Sequence, residues 1–296
     1  MASDSPIDQE RLEALVGHPQ HKFEALTEHI QQGVQTFQQI ETTFLDLIWT
    51  MDTYRIEQVV PRGMGKATLS PEKRLDGIYR GKGNWFSTAV TLIIGQKTSS
   101  LLESRSNVQG FSQVHQIDIA WPARDRKPLV DPLICCEAKL TGAPGWGGNK
   151  GRGATDDWSN RRKELKFQAT DLKLYRQAAN TKILNWDLWR KQAPPSVYSI
   201  WAARVEHPKD ITKMVSEARI LTATYSDGVG IYAFQENAER TRYVPSPVSK
   251  GVDERVTSLD NVLDYIAAEI QQVMALNNNQ VPAPVISEAP GFHALE

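Results

Sequence analysis

Apolar and polar positions follow two different periods along this chain, and the switch between them divides it. From about residue 8 to 58 apolar residues recur at spacings of three and four, as in Phe37, Ile40, Phe44, Leu47 and Ile48, which predicts helices. Pro61-Arg62-Gly63-Met64-Gly65-Lys66 breaks that pattern and reads as a loop. Arg80-Gly81-Lys82-Gly83 reads as another, followed by a short helix capped near Asn84, with Phe86, Val90, Ile93 and Ile94 on one face. Between Leu101 and Leu140 the period becomes extended. A strand at Val108, a turn at Gln109–Ser112 and a strand at His115–Trp121 are followed by a polar loop from Pro122 to Asp131. Leu133–Leu140 is then a strand, apolar at its start and charged at its end.

Gly142–Gly153 is glycine-rich and predicts a loop, and Asp157–Ala179 predicts a long helix. Val197–Ala203 and Gly230–Gln235 read as strands and Leu259–Leu276 as an amphipathic helix. Residues 277–296 hold three consecutive asparagines and three prolines without periodicity, which predicts a flexible tail. The expected fold class is α/β, with a central mixed sheet flanked by helices. The expected organisation is a helical addition over residues 1–60, a main domain over 61–276 and a tail over 277–296. No internal repeat is present.

Composition narrows the function classes only in part. The 296 residues are 40% hydrophobic and 23% charged, which suits one large globular domain. The net charge of −1 argues against a histone-like coat, so any nucleic-acid partner must be held by a local basic groove. Cys135 and Cys136 are adjacent and are the only cysteines. They form neither a disulfide framework nor a zinc spacing, and a reducing, cytoplasmic setting is expected. No run has the length and apolarity of a signal sequence or a membrane span, so no membrane partner is expected.

The chemistry-bearing residues lie in two neighbouring strands. Side chains alternate faces along a strand, so Asp118 points away from Ile117 and Ile119, and Glu137 shares a face with Lys139. Antiparallel pairing through the Pro122–Asp131 loop would bring Asp118 near both. Two carboxylates and an amine at the end of an apolar sheet are costly unless they are paired or bind a cation. Two acidic oxygen donors suit Mg²⁺, with Mn²⁺ as a substitute. Phosphodiester cleavage needs a cation to generate hydroxide and offset charge on the phosphate, and the Lys139 ammonium can hold water or phosphate.

His-Gln-Ile-Asp118-Ile-Ala, a variable loop, and then Leu-Ile-Cys-Cys-Glu137-Ala-Lys139 resemble the core motif of the PD-(D/E)xK nuclease superfamily. That superfamily includes restriction endonucleases, Holliday-junction resolvases and RecB-like nucleases. The resemblance covers roughly residues 80–180. It implies a restriction-endonuclease-like sheet and Mg²⁺-dependent DNA cleavage, with Asp118 and Glu137 as metal ligands and Lys139 as the catalytic lysine. Many members carry a glutamate on the helix before the first core strand. Here that helix reads Asn84-Trp85-Phe86-Ser87, and Glu103 is the candidate substitute. Gln168, on the helix after Lys139, looks like the glutamine of RecB-like members. A chain of this size most resembles a type II restriction endonuclease acting as a homodimer on double-stranded DNA. The rivals are a defence-system effector or repair nuclease of low specificity and a non-catalytic DNA-binding protein.

Each candidate also has a plainer reading. Asp118, Glu137 and Lys139 could be an ion-pair ladder on an edge strand. Asp131 is read as a loop residue and His115 as a polar strand-end residue rather than a general base. Lys150 and Arg152 in the glycine-rich loop, and Arg161, Arg162 and Lys163 after it, are candidate phosphate contacts or solvated surface. The eight tryptophans are read as packing residues.

Overall fold

The computed structural model describes residues 13–14, 16–57, 72–122, 132–144, 152–156, 158–181, 194–246 and 256–278. The named elements begin with the helices α1 (Pro19–Gln31), α2 (Phe37–Glu57) and α3 (Glu72–Thr98). Then follow β1 (Glu103–Gln109), β2 (Val114–Trp121), β3 (Ile134–Thr141), α4 (Trp158–Thr181), β4 (Ser196–Arg204), α5 (Pro208–Thr224) and β5 (Gly228–Glu236). Two short strands, β6 (Tyr243–Pro245) and β7 (Val256–Ser258), precede the helix α6 (Leu259–Asn278).

The strands form one mixed sheet in the order β1-β2-β3-β4-β5-β6, with β7 also paired to β5. β1, β2 and β3 are antiparallel neighbours, whereas β3, β4 and β5 run parallel. Parallel neighbours need crossovers, and α4 and α5 supply them. The central strands are buried on both faces, which is why β4 reads as a nearly unbroken apolar run.

Alternate residues of these strands feed opposite cores. Tyr198, Ile200 and Ala202 pack with α1, α2, α3 and α6, while Trp201 and Ala203 pack with α4 and α5. The architecture is therefore α/β, a mixed sheet with helices on both faces, as the periodicity predicts. The apolar positions Phe37, Ile40, Phe44, Leu47 and Ile48 of α2 share one core with the sheet. Among the described residues no helix is long and apolar enough to cross a membrane.

Two local expectations need correction. Gly81–Gly83 is not a loop, and Asn84 is not a cap: α3 runs unbroken from Glu72 through them. Tertiary contacts outweigh the poor helix propensity of two glycines. Lys82 is anchored to Asp52, and Trp85 stacks on Phe23 with ring centroids 4.5 Å apart. The second correction is α5, over a stretch where no element was expected. Its buried Ile211, Met214, Val215, Ala218 and Leu221 have helical spacing, and Asp210 accepts from the His207 N–H at its first turn. The expected loops at 61–66 and 123–131, including Asp131, lie outside the described residues, as does most of the 277–296 tail.

Candidate active site

β2 and β3 part where the charged residues begin. Their ladder pairs Trp121 with Ile134, Ala120 with Cys135 and Ile119 with Cys136, and goes no further. One step on, the Asp118 carboxylate replaces the strand backbone as acceptor, and its Oδ2 takes the Ala138 N–H at 2.9 Å. This ties Asp118 to the strand that carries Glu137 and Lys139. It also satisfies a backbone donor that strand separation would otherwise orphan.

The hairpin neighbour of β2 is irregular at the same level. Ser104 pairs with Ile119 and Ser106 with Ile117, which leaves Arg105 opposite Asp118. Arg105 has φ of 62°, the left-handed region that side chains with a Cβ rarely adopt. Here β2 changes face: Ile117 packs with Ala120 towards α4, whereas Ile119 packs towards α3. Strict alternation, which would put Ile117 and Ile119 on one face, therefore fails at Asp118. Arg105→Gly is expected to raise stability by about 0.5–1 kcal/mol through relief of this conformation, checked by the urea midpoint. An unchanged or lower midpoint would show that the arginine side chain, whose Nη2 donates to Gln116 at 3.0 Å, outweighs the strain.

Glu137 and Lys139 share a face of β3, as alternation requires. Lys139 Nζ lies 2.5 Å from Glu137 Oε2 and 3.4 Å from Asp118 Oδ2. The Glu137 side chain is only 5% exposed, and its Oε1 is buried with no hydrogen-bond partner. Burial pushes the Glu137 carboxyl up to about 7, Lys139 opposes the shift, and the negative charge of Asp118 adds to it. For Lys139 burial alone would lower the pKa, but Glu137 and then Asp118 outweigh it and hold the ammonium protonated.

A cleft of about 400 Å³ opens beside the cluster. It is lined by Asp118, Lys139 and Thr141 of the sheet, by Gly83 and Asn84 of α3, and by Arg152, Asp156 and Arg161. Arg152 is exposed and pairs through its backbone with Ala143. Arg161 lies 3.0 Å from Glu164 at the surface.

The remaining sequence candidates are not among the described residues that line the cleft. Arg162 donates to Glu217 at 2.7 Å beside Trp158 Nε1, and so fastens α4 to α5. Lys163 is exposed and Gln168 half-buried on α4, and neither lines the cleft. Glu103 pairs with Ala120 in the β1–β2 ladder, and only its backbone is described. Lys150 lies outside the described residues. His115 is buried 2.8 Å from Asp171, which also accepts the Ser112 N–H at 2.9 Å. These bonds hold the β1–β2 hairpin against α4, a packing role for His115. Ser87, at the position where an acid was looked for, is fully buried and donates to the Asn84 carbonyl at 3.0 Å.

Lys82, Asn84 and Asp156 are cleft residues that the sequence reading passed over. The only signal for the first two was the Gly-Lys-Gly-Asn stretch, read there as a loop. Asp156 accepts the Gly153 N–H at 2.7 Å and shapes the turn beneath the cleft. Lys82 is not a spare cation: its Nζ lies 3.0 and 2.8 Å from the two Asp52 oxygens, and Tyr243 OH also donates to Asp52. It also donates to the Gly142 carbonyl at 3.3 Å, at the end of β3.

The donor set fits a hard divalent cation. Glu137 offers an unpartnered buried oxygen, and Asp118 a second carboxylate on the adjacent strand. Among the described residues no group of three His, Cys, Asp or Glu side chains is placed to hold a metal ion. A cation here would therefore take two protein carboxylates and complete its shell from water and substrate, a pattern suited to Mg²⁺. Comparison with protein-family models, with curated proteins and with solved structures finds no match to this chain.

Proposed function

We propose that this chain is a Mg²⁺-dependent nuclease of the PD-(D/E)xK type, acting on double-stranded DNA. One observation carries the reading. Asp118, from a strand 19 positions earlier than Glu137, is bound to the backbone between Glu137 and Lys139, and Asp118 and Lys139 line a cleft beside the buried Glu137. A surface ion-pair ladder is a poorer account, because Glu137 is nearly fully buried and keeps one oxygen unpaired.

Asp118 and Glu137 would hold the cation, with Mn²⁺ able to replace Mg²⁺. When bound, the ion supplies charge neutralisation at the phosphate and acidifies water. The chain's own part is positional and electrostatic. Lys139, kept protonated by two carboxylates, is a hydrogen-bond donor to the attacking water or a phosphate oxygen, not a proton acceptor. Asp118 fixes the spacing of the two strands. Arg152 and Arg161 are placed for phosphate contacts at the cleft rim. The finer reading is a type II restriction endonuclease working as a homodimer, since twofold symmetry suits cutting both strands of a palindrome.

The test is cleavage of supercoiled plasmid with Mg²⁺, with and without EDTA, comparing wild type with Glu137→Ala and Lys139→Ala. Discrete fragments lost in both variants are the expected result. A smear lost in both would replace restriction by low-specificity cleavage. Undiminished cutting by the variants would overturn the assigned site.

A further inference from the structure

The stretch Gly81-Lys82-Gly83-Asn84 lies within a helix, where each glycine is costly relative to alanine. A glycine kept at such a position calls for a local reason. At Gly81 an added Cβ would make ordinary contact with the Trp85 indole at 3.7 Å, and Gly81 does not line the cleft. At Gly83 an added Cβ would meet nothing within 4 Å among the described residues. Neither a positive φ nor a close neighbour in the fold requires glycine there.

Gly83 does line the cleft, together with Asp118 and Lys139. The neighbouring Lys82 is turned inward, its charge balanced by Asp52. Asn84, also in the lining, is exposed and brings a neutral amide that can both donate and accept. Gly83 and Asn84 thus bring no charge to the lining, whereas Arg152 and Arg161 do.

We propose that Gly83 is a substrate-contact position: the sugar–phosphate backbone of a polynucleotide passes directly against the α3 surface there, with the Asn84 amide as its hydrogen-bonding neighbour. This deepens the nuclease reading and rests on it. The missing side chain leaves room for the strand in the cleft that Asp118 and Lys139 also line. Among the described residues a methyl group at that point meets no neighbour, so it collides only when the cleft is filled.

The experiment compares wild type, Gly83→Ala and Gly81→Ala in two measurements. One is thermal unfolding of the free protein. The other is binding of a fluorescein-labelled DNA duplex by anisotropy with Ca²⁺ replacing Mg²⁺, so that binding is read without relying on turnover. Both variants are expected to raise the unfolding midpoint by about 1–4 °C through better helix propensity. Only Gly83→Ala is expected to weaken DNA binding, by on the order of tenfold. Equal affinity of Gly83→Ala and wild type would overturn the contact while leaving the nuclease reading in place. A lowered midpoint for Gly83→Ala would show that the helix itself needs the glycine, and would sink the proposal too. If wild type binds no duplex, the DNA reading fails first and takes this contact with it.

Discussion

Replacing Lys139 by methionine is expected to slow Mg²⁺-dependent DNA cleavage by on the order of 10³-fold while the protein stays folded. The Lys139 ammonium sits 2.5 Å from Glu137 and 3.4 Å from Asp118, so it is fixed beside the two groups that would hold the cation. Removing one oriented, charged donor aimed at developing phosphate charge typically costs two to three orders of magnitude, about 3–4 kcal/mol of barrier. Methionine keeps much of the aliphatic stem and removes the charge together with its N–H donors. The same change takes away the cation that now balances two carboxylates. Mg²⁺ should therefore stabilise Lys139→Met at least as much as wild type, read as the rise in unfolding midpoint with added Mg²⁺. A variant that still cuts, or one that no longer responds to Mg²⁺, would contradict the assigned roles. Lys139→Arg is not expected to rescue activity, because a planar guanidinium does not fill the place of a compact ammonium.

Glu137→Gln has the second large expected effect, and its sign is opposite for stability and for metal binding. Burial raises the Glu137 carboxyl from its ordinary 4.5 to about 7, while the unfolded chain releases that proton near the ordinary value. Between those two values the folded state holds the extra proton, so rising pH favours the unfolded state. The group's contribution is fully present below about 4.5, is lost as pH climbs towards 7, and leaves a buried charge above it. The amide carries no such charge. At pH 8 without metal, Glu137→Gln should be more stable by on the order of 2 kcal/mol, a rise in midpoint of roughly 4–8 °C. At pH 4 the two proteins should unfold together. Stabilisation by Mg²⁺ should be much reduced in the variant. Calorimetry at both pH values, with and without Mg²⁺, decides this, and a less stable variant at pH 8 would show that the Lys139 ion pair outweighs the burial cost.

Much of the fold was legible because binary patterning is local. The period of two in His115–Trp121, the apolar start and charged end of Leu133–Leu140, and the apolar stripe of α2 each require only a few consecutive residues to be read. The pairing of Glu137 with Lys139 is local in the same way, since residues two apart on a strand share a face. Helix α5 was equally readable from Ile211, Met214, Val215 and Ala218, and its omission was a missed pattern, not a physical ambiguity. The Gly81–Gly83 error was of another kind. Glycine propensity there is outvoted by Lys82 reaching Asp52, thirty positions away, and by Trp85 stacking on Phe23.

The sequence by itself determined the α/β class, the strands that bear Asp118 and Glu137, and the common face of Glu137 and Lys139, because these follow from the periods of the backbone. Only the tertiary structure decided that the β2–β3 ladder ends at Ile119 and Cys136, so that the Asp118 carboxylate reaches the Ala138 amide. It also decided that Arg162 is bound to Glu217 while Arg152 and Arg161 face the cleft, that Lys82 is neutralised by Asp52, and that one Glu137 oxygen is buried without a partner. The physical reason is common to all of these. Register, ion pairing and burial are set between segments far apart in the chain, where the balance of desolvation against charge pairing depends on what packs against each group, and no local pattern encodes that.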